Sequence, residues 1–350
     1  GHWAAPAMAG LCGFAYLYGA VIRYNIAEVE PALKAEPTPA LRSLERASDL
    51  ALGFAYFISV AYYINLFAAF ALKSGDMVNP MWTRLISTGV IGALGLIGFL
   101  RGLRSIENVE IFAVSYKLSI IAGLIAGLIF FMMSAASTGT LQFAPMDHAT
   151  GLEEMRVLLG LVILVQGFET SRFLGEAYDA KTRIETMRWA QLVSTGIYIV
   201  FILAMTPHFT GDIPEQGGET AIIDMLRPLG VLIAPAIITM AIASQISAAV
   251  ADMNGASGII SENTPERVTM KWGYAVTALA AISVTWSGDI FEIIVYASKA
   301  FVIYYGLECV TASYMAVKTG HSRWRILGLS TIGALTALAV LFLGVPAEGG

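Results

Sequence analysis

Charged residues are scarce in this chain of 350 residues. Asp, Glu, Lys and Arg make up 13% of it, whereas a soluble globular domain holds about 25%. Hydrophobic residues reach 57%, and the mean hydropathy is +0.69. The net charge of −5 is small and does not favour a nucleic-acid partner. The composition therefore indicates a polytopic membrane protein rather than a soluble one.

Cysteine and histidine are also rare. Cys12 and Cys309 both lie in apolar segments, so a disulfide framework is not expected. The four histidines fall in connections or at segment ends, and the sequence has neither an HExxH nor a Gly-x-Ser-x-Gly pattern. The lack of these motifs argues against a membrane-embedded enzyme that uses haem, zinc or a protease mechanism. We expect neither a metal nor a cofactor.

Ten apolar segments alternate with polar connections along the chain. Each is close to the length of about 20 residues that a helix needs to cross the hydrocarbon core. Membrane β-strands show an alternating pattern of about ten residues, which is not visible here. The sequence thus predicts an all-α polytopic membrane protein with ten transmembrane helices. The segments are roughly 4–28, 48–72, 82–103, 109–134, 155–178, 188–207, 221–251, 269–286, 289–316 and 324–344.

Basic residues fall mainly at every second connection between these segments. Cytoplasmic connections carry an excess of Lys and Arg, so these connections mark the cytoplasmic side. The same rule places Gly1 and Gly350 on the outer side, which favours one further helix before Gly1. The basic residues of the cytoplasmic connections are Lys34, Arg42, Arg46, Arg101, Arg104, Lys181, Arg183, Arg188, Arg267, Lys271, Lys318, Arg323 and Arg325.

The segment at 157–183 starts as a membrane-spanning helix and is then interrupted. Gly167 is followed by Glu169, Arg172 and other polar residues before the apolar run has crossed a bilayer. An interrupted helix survives in hydrocarbon only where it lines a cavity inside protein. Secondary transporters bind their substrates at half-helices of this kind. The pattern therefore predicts a binding site, and the alternative is a helix that only bends at Gly167.

Four stretches of the sequence resemble motifs of the amino acid–polyamine–organocation (APC) transporter superfamily. QGFETSRFLGEAYDAKTR (166–183) resembles the broken sixth helix of that family. RYNIAEVEPAL (23–33) resembles the end of its second helix. SIENVEIFAVSYKLSIIAGLIAGL (105–128) resembles its fifth helix, and ASQISAAVADMNGASGIISE (243–262) resembles its eighth. The resemblance covers nearly the whole chain.

The resemblance implies a five-plus-five inverted repeat of the leucine transporter type, with the first and sixth helices broken. Here the broken helix is the fifth segment, which implies that the family's first helix is absent and the fold truncated. It implies a single transporter domain over 1–350. Within it, 1–134 would hold family helices two to five, 155–316 family helices six to ten, and 324–344 an additional helix.

The resemblance also implies where a substrate binds. Backbone carbonyls at the break, from Ile163, Val165, Gln166 and Gly167, would accept hydrogen bonds from the substrate's amino group. Ile163 falls where family members often carry a gating aromatic side chain. Phe168 is an alternative cap for the site, unless it packs in the core or against lipid.

Three polar or aromatic side chains repeat at helical spacing on the second segment. Tyr56, Ser59 and Tyr63 share one face, on the helix that corresponds to the family's third, which lines the substrate site. A tyrosine stripe is as often a packing face or an interfacial belt. We therefore expect either a pocket wall or a packing surface along this helix.

Four residues are candidates for coupling or gating. Glu169 is either a proton-coupled gate or the partner of Arg172 or of another helix. Lys117 lies about 13 Å into its helix, where, by resemblance, sodium-independent relatives place an ammonium at the sodium site. It either couples proton movement to opening or braces two helices. Ser244 and Ser247 share a helix face and either meet Lys117 or serve as small packing residues.

The sequence as a whole predicts a secondary active transporter in the cell membrane. By resemblance we expect it to move amino acids or related amines by alternating access, coupled to protons and independent of sodium. Its partners would be the small-molecule substrate, protons and the lipid bilayer. The alternatives are a sodium-coupled or other ion or organic-cation transporter of the same fold, a channel, and a membrane sensor that binds without transporting.

Overall fold

Helices make up nearly all of the structure, which is a computed structural model. The structure describes residues 3–75, 77, 79–103, 107–139, 151–174, 178–206, 220–226, 230–264 and 269–346. No strand occurs within these ranges. In this described part of the chain, eight helices are long and apolar enough to cross a membrane. The prediction of an all-α polytopic membrane protein is therefore confirmed. The spanning helices are Ala4–Lys34, Pro39–Lys73, Pro80–Arg101, Val114–Ser137, Ala180–Met205, Ile233–Asn263, Ile290–Thr319 and Arg323–Leu343.

Twelve α-helices are numbered in chain order within the described residues. A short π-helical stretch lies inside the first span, and 3-10-helical stretches follow α6. The helices are α1 (Ala4–Tyr24), α2 (Glu30–Lys34), α3 (Pro39–Lys73), α4 (Pro80–Arg101), α5 (Glu107–Ser137), α6 (Leu152–Gly160), α7 (Ala180–Met205), α8 (Ala221–Leu226), α9 (Ile233–Asn263), α10 (Met270–Thr285), α11 (Ile290–Thr319) and α12 (Arg323–Leu343).

Three predicted segments differ from these helices. The segment at 155–178 is not one helix, because it breaks after α6. The segment at 269–286 forms α10, whose 16 residues are short for a full crossing. The segment at 221–251 was predicted as a single run, but α8 and α9 are separate helices and α9 extends to Asn263. Gly230, with φ +152°, lies just before α9, in a conformation that a helix cannot contain.

A π-helical turn joins α1 to α2. It covers Asn25–Val29, and the N–H of Glu30 donates to the carbonyl of Asn25 across five residues. Pro31 follows directly, and a proline lacks an N–H and crowds the carbonyl one turn earlier. A widened turn accommodates that crowding, and such turns occur often at functional sites. Asn25 is fully buried there and faces α11.

Capping residues set several helix starts. Thr38 accepts a hydrogen bond from the N–H of Leu41 and precedes Pro39, which begins α3. At α7 the carboxylate of Asp179 accepts from the N–H of Thr182, and that bond holds the pKa of Asp179 below its usual value. At these two helices, a polar residue between apolar runs therefore fixes where the span begins.

The centre of the molecule is formed by α3 and α11, which are the most buried of the spanning helices. Both pack against each other, and α3 also packs along α9. The 3-10 turn that follows α6 packs against α11. This arrangement places the interrupted segment beside the two most buried helices, where its polar groups meet protein rather than lipid.

Candidate functional site

The fifth apolar segment is interrupted over several residues. After α6 ends at Gly160, tight 3-10 turns cover Val162–Val165 and Phe168–Leu174. Between them the backbone is extended at Gln166, and Gly167 has φ +106°. Side chains rarely adopt that φ, so glycine suits the position. The structure therefore holds a true break, which begins earlier than Gly167.

One serine of α11 joins the two sides of the first turn. The hydroxyl of Ser298 donates to the carbonyl of Gly160 at 2.7 Å and accepts from the N–H of Ile163 at 3.0 Å. Ser298 is fully buried. It thus satisfies two backbone groups that the end of α6 would leave unpaired.

Replacing Ser298 with alanine is expected to lower the free energy of unfolding by about 1–3 kcal/mol, because two buried backbone groups would lose a partner. Thermal melting of the purified protein in detergent measures this. Ser257→Ala is the matched control, since the one bond of that buried hydroxyl to a described residue is to the carbonyl of Met253 in its own helix. Equal melting temperatures for the two variants would contradict the bridging role.

The four carbonyls predicted to bind an amino group are not equivalent. The Ile163 carbonyl accepts from the N–H of Gln166 at 3.3 Å, and the Gly167 carbonyl accepts from the hydroxyl of Thr170 at 2.8 Å. No described residue donates to the carbonyl of Val165 or to that of Gln166. The side-chain Oε1 of Gln166 is also buried and has no partner among the described residues. The Val165 side chain packs against the core. Gln166 therefore offers the acceptors that most need a donor.

The stripe on α3 faces α9 and the break. The hydroxyl of Ser59 donates to the carboxylate of Asp252 on α9 and lies 3.2 Å from the carbonyl of Tyr56. Tyr56 and Ser59 are buried. Tyr63 lies close to the side chain of Gln166. The structure thus brings together all three predicted stripe residues, and it adds Asp252 to them.

The side chains of Ile163 and Phe168 are both buried in the core. Phe168 stacks on Tyr305 of α11, with ring centroids 5.5 Å apart. Tyr305 in turn stacks on Tyr18 of α1 at 4.7 Å. Of the alternatives considered for Phe168, contact with lipid does not occur, because the ring lies inside this three-ring stack.

Glu169 is buried and bonded to neutral donors. Its Oε2 accepts from the hydroxyl of Tyr305 at 2.9 Å and from the N–H of Gly167 at 3.0 Å. Arg172, the partner considered from sequence, bonds elsewhere: it pairs with Glu308 and with Glu45. Within the described residues no Lys, Arg or His forms an ion pair with Glu169, so its contact with another helix is the one to Tyr305.

Lys117 meets Ser244 across the α5–α9 contact. Its Nζ lies 3.4 Å from the hydroxyl of Ser244, and the lysine is half-buried. Ser247 lies one turn further along α9 and is also half-buried. Asp252 follows Ser244 by eight residues, about 12 Å along the helix. The α9 helix therefore connects the lysine to the cluster around the break.

Sequence reasoning missed three residues of α11 that hold the break: Ser298, Tyr305 and Glu308. Glu308 could have been proposed from the sequence, because a carboxylate in the middle of an apolar span is taken as a functional-site candidate. Ser298 and Tyr305 gave none, because small and aromatic residues are ordinary in membrane helices. In the part of the chain that the structure describes, no three His, Cys, Asp or Glu side chains are grouped as metal ligands would be.

Comparison with known proteins identifies the family. A family model described as an APC superfamily transporter matches residues 1–344. An uncharacterized protein from Aquifex aeolicus (strain VF5) is 39% identical over 316 residues, which cover 89% of this chain and 76% of that protein. These matches agree with the four motifs around an interrupted membrane helix. The chain therefore belongs to the APC superfamily of transporters.

Proposed function

We propose that this protein is a secondary active transporter of amino acids or related amines, located in the cell membrane and working by alternating access. The observation that carries this proposal is the break at Gln166 and Gly167. Among the described residues, neither the carbonyl of Gln166 nor its buried amide oxygen has a donor, and two buried carboxylates, Glu169 and Asp252, lie nearby. A ligand rich in N–H donors, such as an ammonium group, would satisfy these acceptors.

The aromatic residues around these acceptors support the same reading. Tyr56 and Tyr63 of α3 interact with Glu169 electrostatically. Tyr305 donates to Glu169 and stacks on Phe168. Aromatic faces attract ammonium groups and exclude water from them. We propose that Tyr56, Ser59 and Tyr63 line the site, that Gln166 and Gly167 bind the amino group, and that Ile163, Val165 and Phe168 shape it. The five-plus-five inverted repeat of the leucine transporter type is the architecture we propose around this site.

The proposed function is tested by uptake into proteoliposomes. The purified protein is reconstituted, and a panel of labelled amino acids and amines is offered with a pH gradient, with a sodium gradient, and with neither. We expect saturable accumulation of at least one member of the panel. Binding by thermal shift without uptake would instead indicate a sensor, and neither binding nor uptake would contradict an amine substrate.

Coupling is proposed to use protons rather than sodium, with Lys117 and Ser244 where an ion would otherwise bind. The observation that supports this is the 3.4 Å contact between Nζ and the serine hydroxyl, which occupies an oxygen that sodium could use. Glu169 and Ser247 are proposed to act with this pair. A lysine is suited to the task because burial can remove its proton and water can restore it.

Replacing Lys117 with alanine is expected to remove the response of uptake to pH. Uptake by the unmodified protein is expected not to depend on sodium. The loss should be about tenfold or more at the optimal pH gradient, which corresponds to about 1.4 kcal/mol of coupling. Initial uptake rates measure it. Lys271→Ala is the control, because Lys271 is an exposed lysine at the start of α10. Sodium-driven uptake that survives in Lys117→Ala would refute this coupling.

A further inference from the structure

Arg172 is a buried cation in the inner half of the broken segment. One Nη atom pairs with Glu308 of α11, and the other lies 2.5 Å from Oε2 of Glu45 on α3. The arginine side chain is 4% exposed and that of Glu308 is 1% exposed. A buried pair is costly to break on one side, because the remaining charge loses its partner without gaining water. Arg172 therefore fixes the inner half of the segment against two central helices.

A second arginine holds the backbone that carries the first. The guanidinium of Arg183, at the start of α7, binds both carboxylate oxygens of Glu30, at 2.9 Å and 2.6 Å. It also donates to the carbonyls of Ser171 and Arg172. Bidentate pairs of this kind fix geometry as well as contributing energy. Glu308 is held in a similar way, since Nδ2 of Asn25 donates to it at 2.8 Å.

These contacts lie at the cytoplasmic side of the molecule. A cavity of about 440 Å³ opens there, and its lining includes Arg42 and Arg46, two of the basic residues that mark the cytoplasmic side, in the first turns of α3. Glu45 also lines this cavity. The pair between Arg172 and Glu45 therefore forms part of its wall. Along the same helix, Tyr56 follows Glu45 by eleven residues, about 16 Å. The pair thus stands between the cavity and the residues around the break.

We infer that Arg172 is the cytoplasmic gate of this transporter. In the conformation described, its pairs with Glu45 and Glu308 close the path from the cavity to the break. Release of both carboxylates lets the inner half of the segment move about Gly167, five residues away, and opens that path. Arg172 acts by positioning the segment and does not itself contact the substrate. The inference rests on alternating access in the proposed function, but its test needs no substrate.

A cysteine buried one turn from Glu45, beside the gate, tests this inference. Ser48 on α3 is fully buried and its hydroxyl has no hydrogen-bond partner among the described residues. It lies eleven residues, about three turns, from Ser59 and so shares its helix face. A thiol is close to a hydroxyl in size, which makes Ser48→Cys a mild change. A membrane-impermeant maleimide reaches it from the cytoplasmic face of inside-out vesicles, and mass spectrometry of peptides measures its labelling.

Arg172→Met should raise the labelling rate of the Ser48→Cys thiol at least tenfold, because the two ion pairs are lost. Glu45→Gln, which removes only the pair whose carboxylate is 23% exposed, should raise it by a smaller factor. Arg156→Met is the matched control. Arg156 lies in α6, on the outer side of the break, and donates to the carbonyl of Leu343. We expect it to leave the labelling rate unchanged.

The native Cys12 of α1, also buried, reports on the fold in the same sample. Its labelling should stay at the background rate in all variants. Equal Ser48→Cys labelling with and without Arg172 would overturn the gate. If labelling of Cys12 and of the Ser48→Cys thiol rose together, the gate would also be overturned, because loss of Arg172 would then loosen the whole fold. If no amine is taken up but labelling rises as expected, the gate stands and the proposed substrate class fails.

Discussion

Gly167→Ala is expected to reduce the initial rate of uptake by about tenfold to a hundredfold, which corresponds to about 1.4–2.7 kcal/mol. Gly167 has φ +106°, where a side chain costs about 1–3 kcal/mol of strain. No atom lies within 4 Å of the position a Cβ would take, so steric overlap does not contribute. The strain would shift the backbone that presents the Gln166 carbonyl and the N–H bonded to Glu169.

Gly196→Ala separates this effect from a general cost of losing a glycine. Gly196 also has open space at the Cβ position, but it lies inside α7 with a helical backbone. Alanine there should leave uptake unchanged and raise stability by up to about 1 kcal/mol. Both variants are compared as initial uptake per folded protein in proteoliposomes. Uptake at the unmodified rate in Gly167→Ala would show that the positive φ is not needed for transport.

The break itself could be predicted from sequence because one physical rule decides it. Hydrocarbon does not tolerate a glycine followed by Glu169 and Arg172 unless protein surrounds them. The same local reasoning found the stripe of Tyr56, Ser59 and Tyr63, because residues three and four apart share a helix face. The membrane spans could also be predicted locally, since length and hydropathy are properties of a continuous stretch of sequence.

The partners across helices could not be predicted in this way. Glu308 and Arg172 are 136 positions apart, and Tyr305 and Glu169 are also 136 apart. Several carboxylates were available to Arg172, and only the packing of α3 against α11 selects two of them. The first 3-10 turn after α6 was missed as well, because the groups at its start bond to Ser298 from another helix.

Replacing Glu169 with glutamine is expected to abolish accumulation driven by a pH gradient, with a loss of about tenfold or more, or at least about 1.4 kcal/mol. Glu169 is 1% exposed and its described donors are neutral. Burial without a cation disfavours a charged carboxylate, which favours uptake of a proton or of a cationic ligand there. Glutamine keeps the size and one acceptor oxygen of Glu169, but it can neither take up a proton nor neutralise a cationic ligand. Exchange of labelled for unlabelled substrate, which needs no net proton movement, should persist.

Tyr305→Phe distinguishes the carboxylate from its surroundings. Phenylalanine preserves the stack on Phe168 and Tyr18 and removes only the hydroxyl that donates to Glu169. Because the carboxylate remains, pH-driven accumulation should continue at a reduced rate, and exchange should remain close to that of the unmodified protein. If Glu169→Gln accumulates substrate as well as the unmodified protein does, Glu169 does not couple transport. If it loses exchange and accumulation equally, its carboxylate serves the site's structure or binding, and the proton is carried elsewhere.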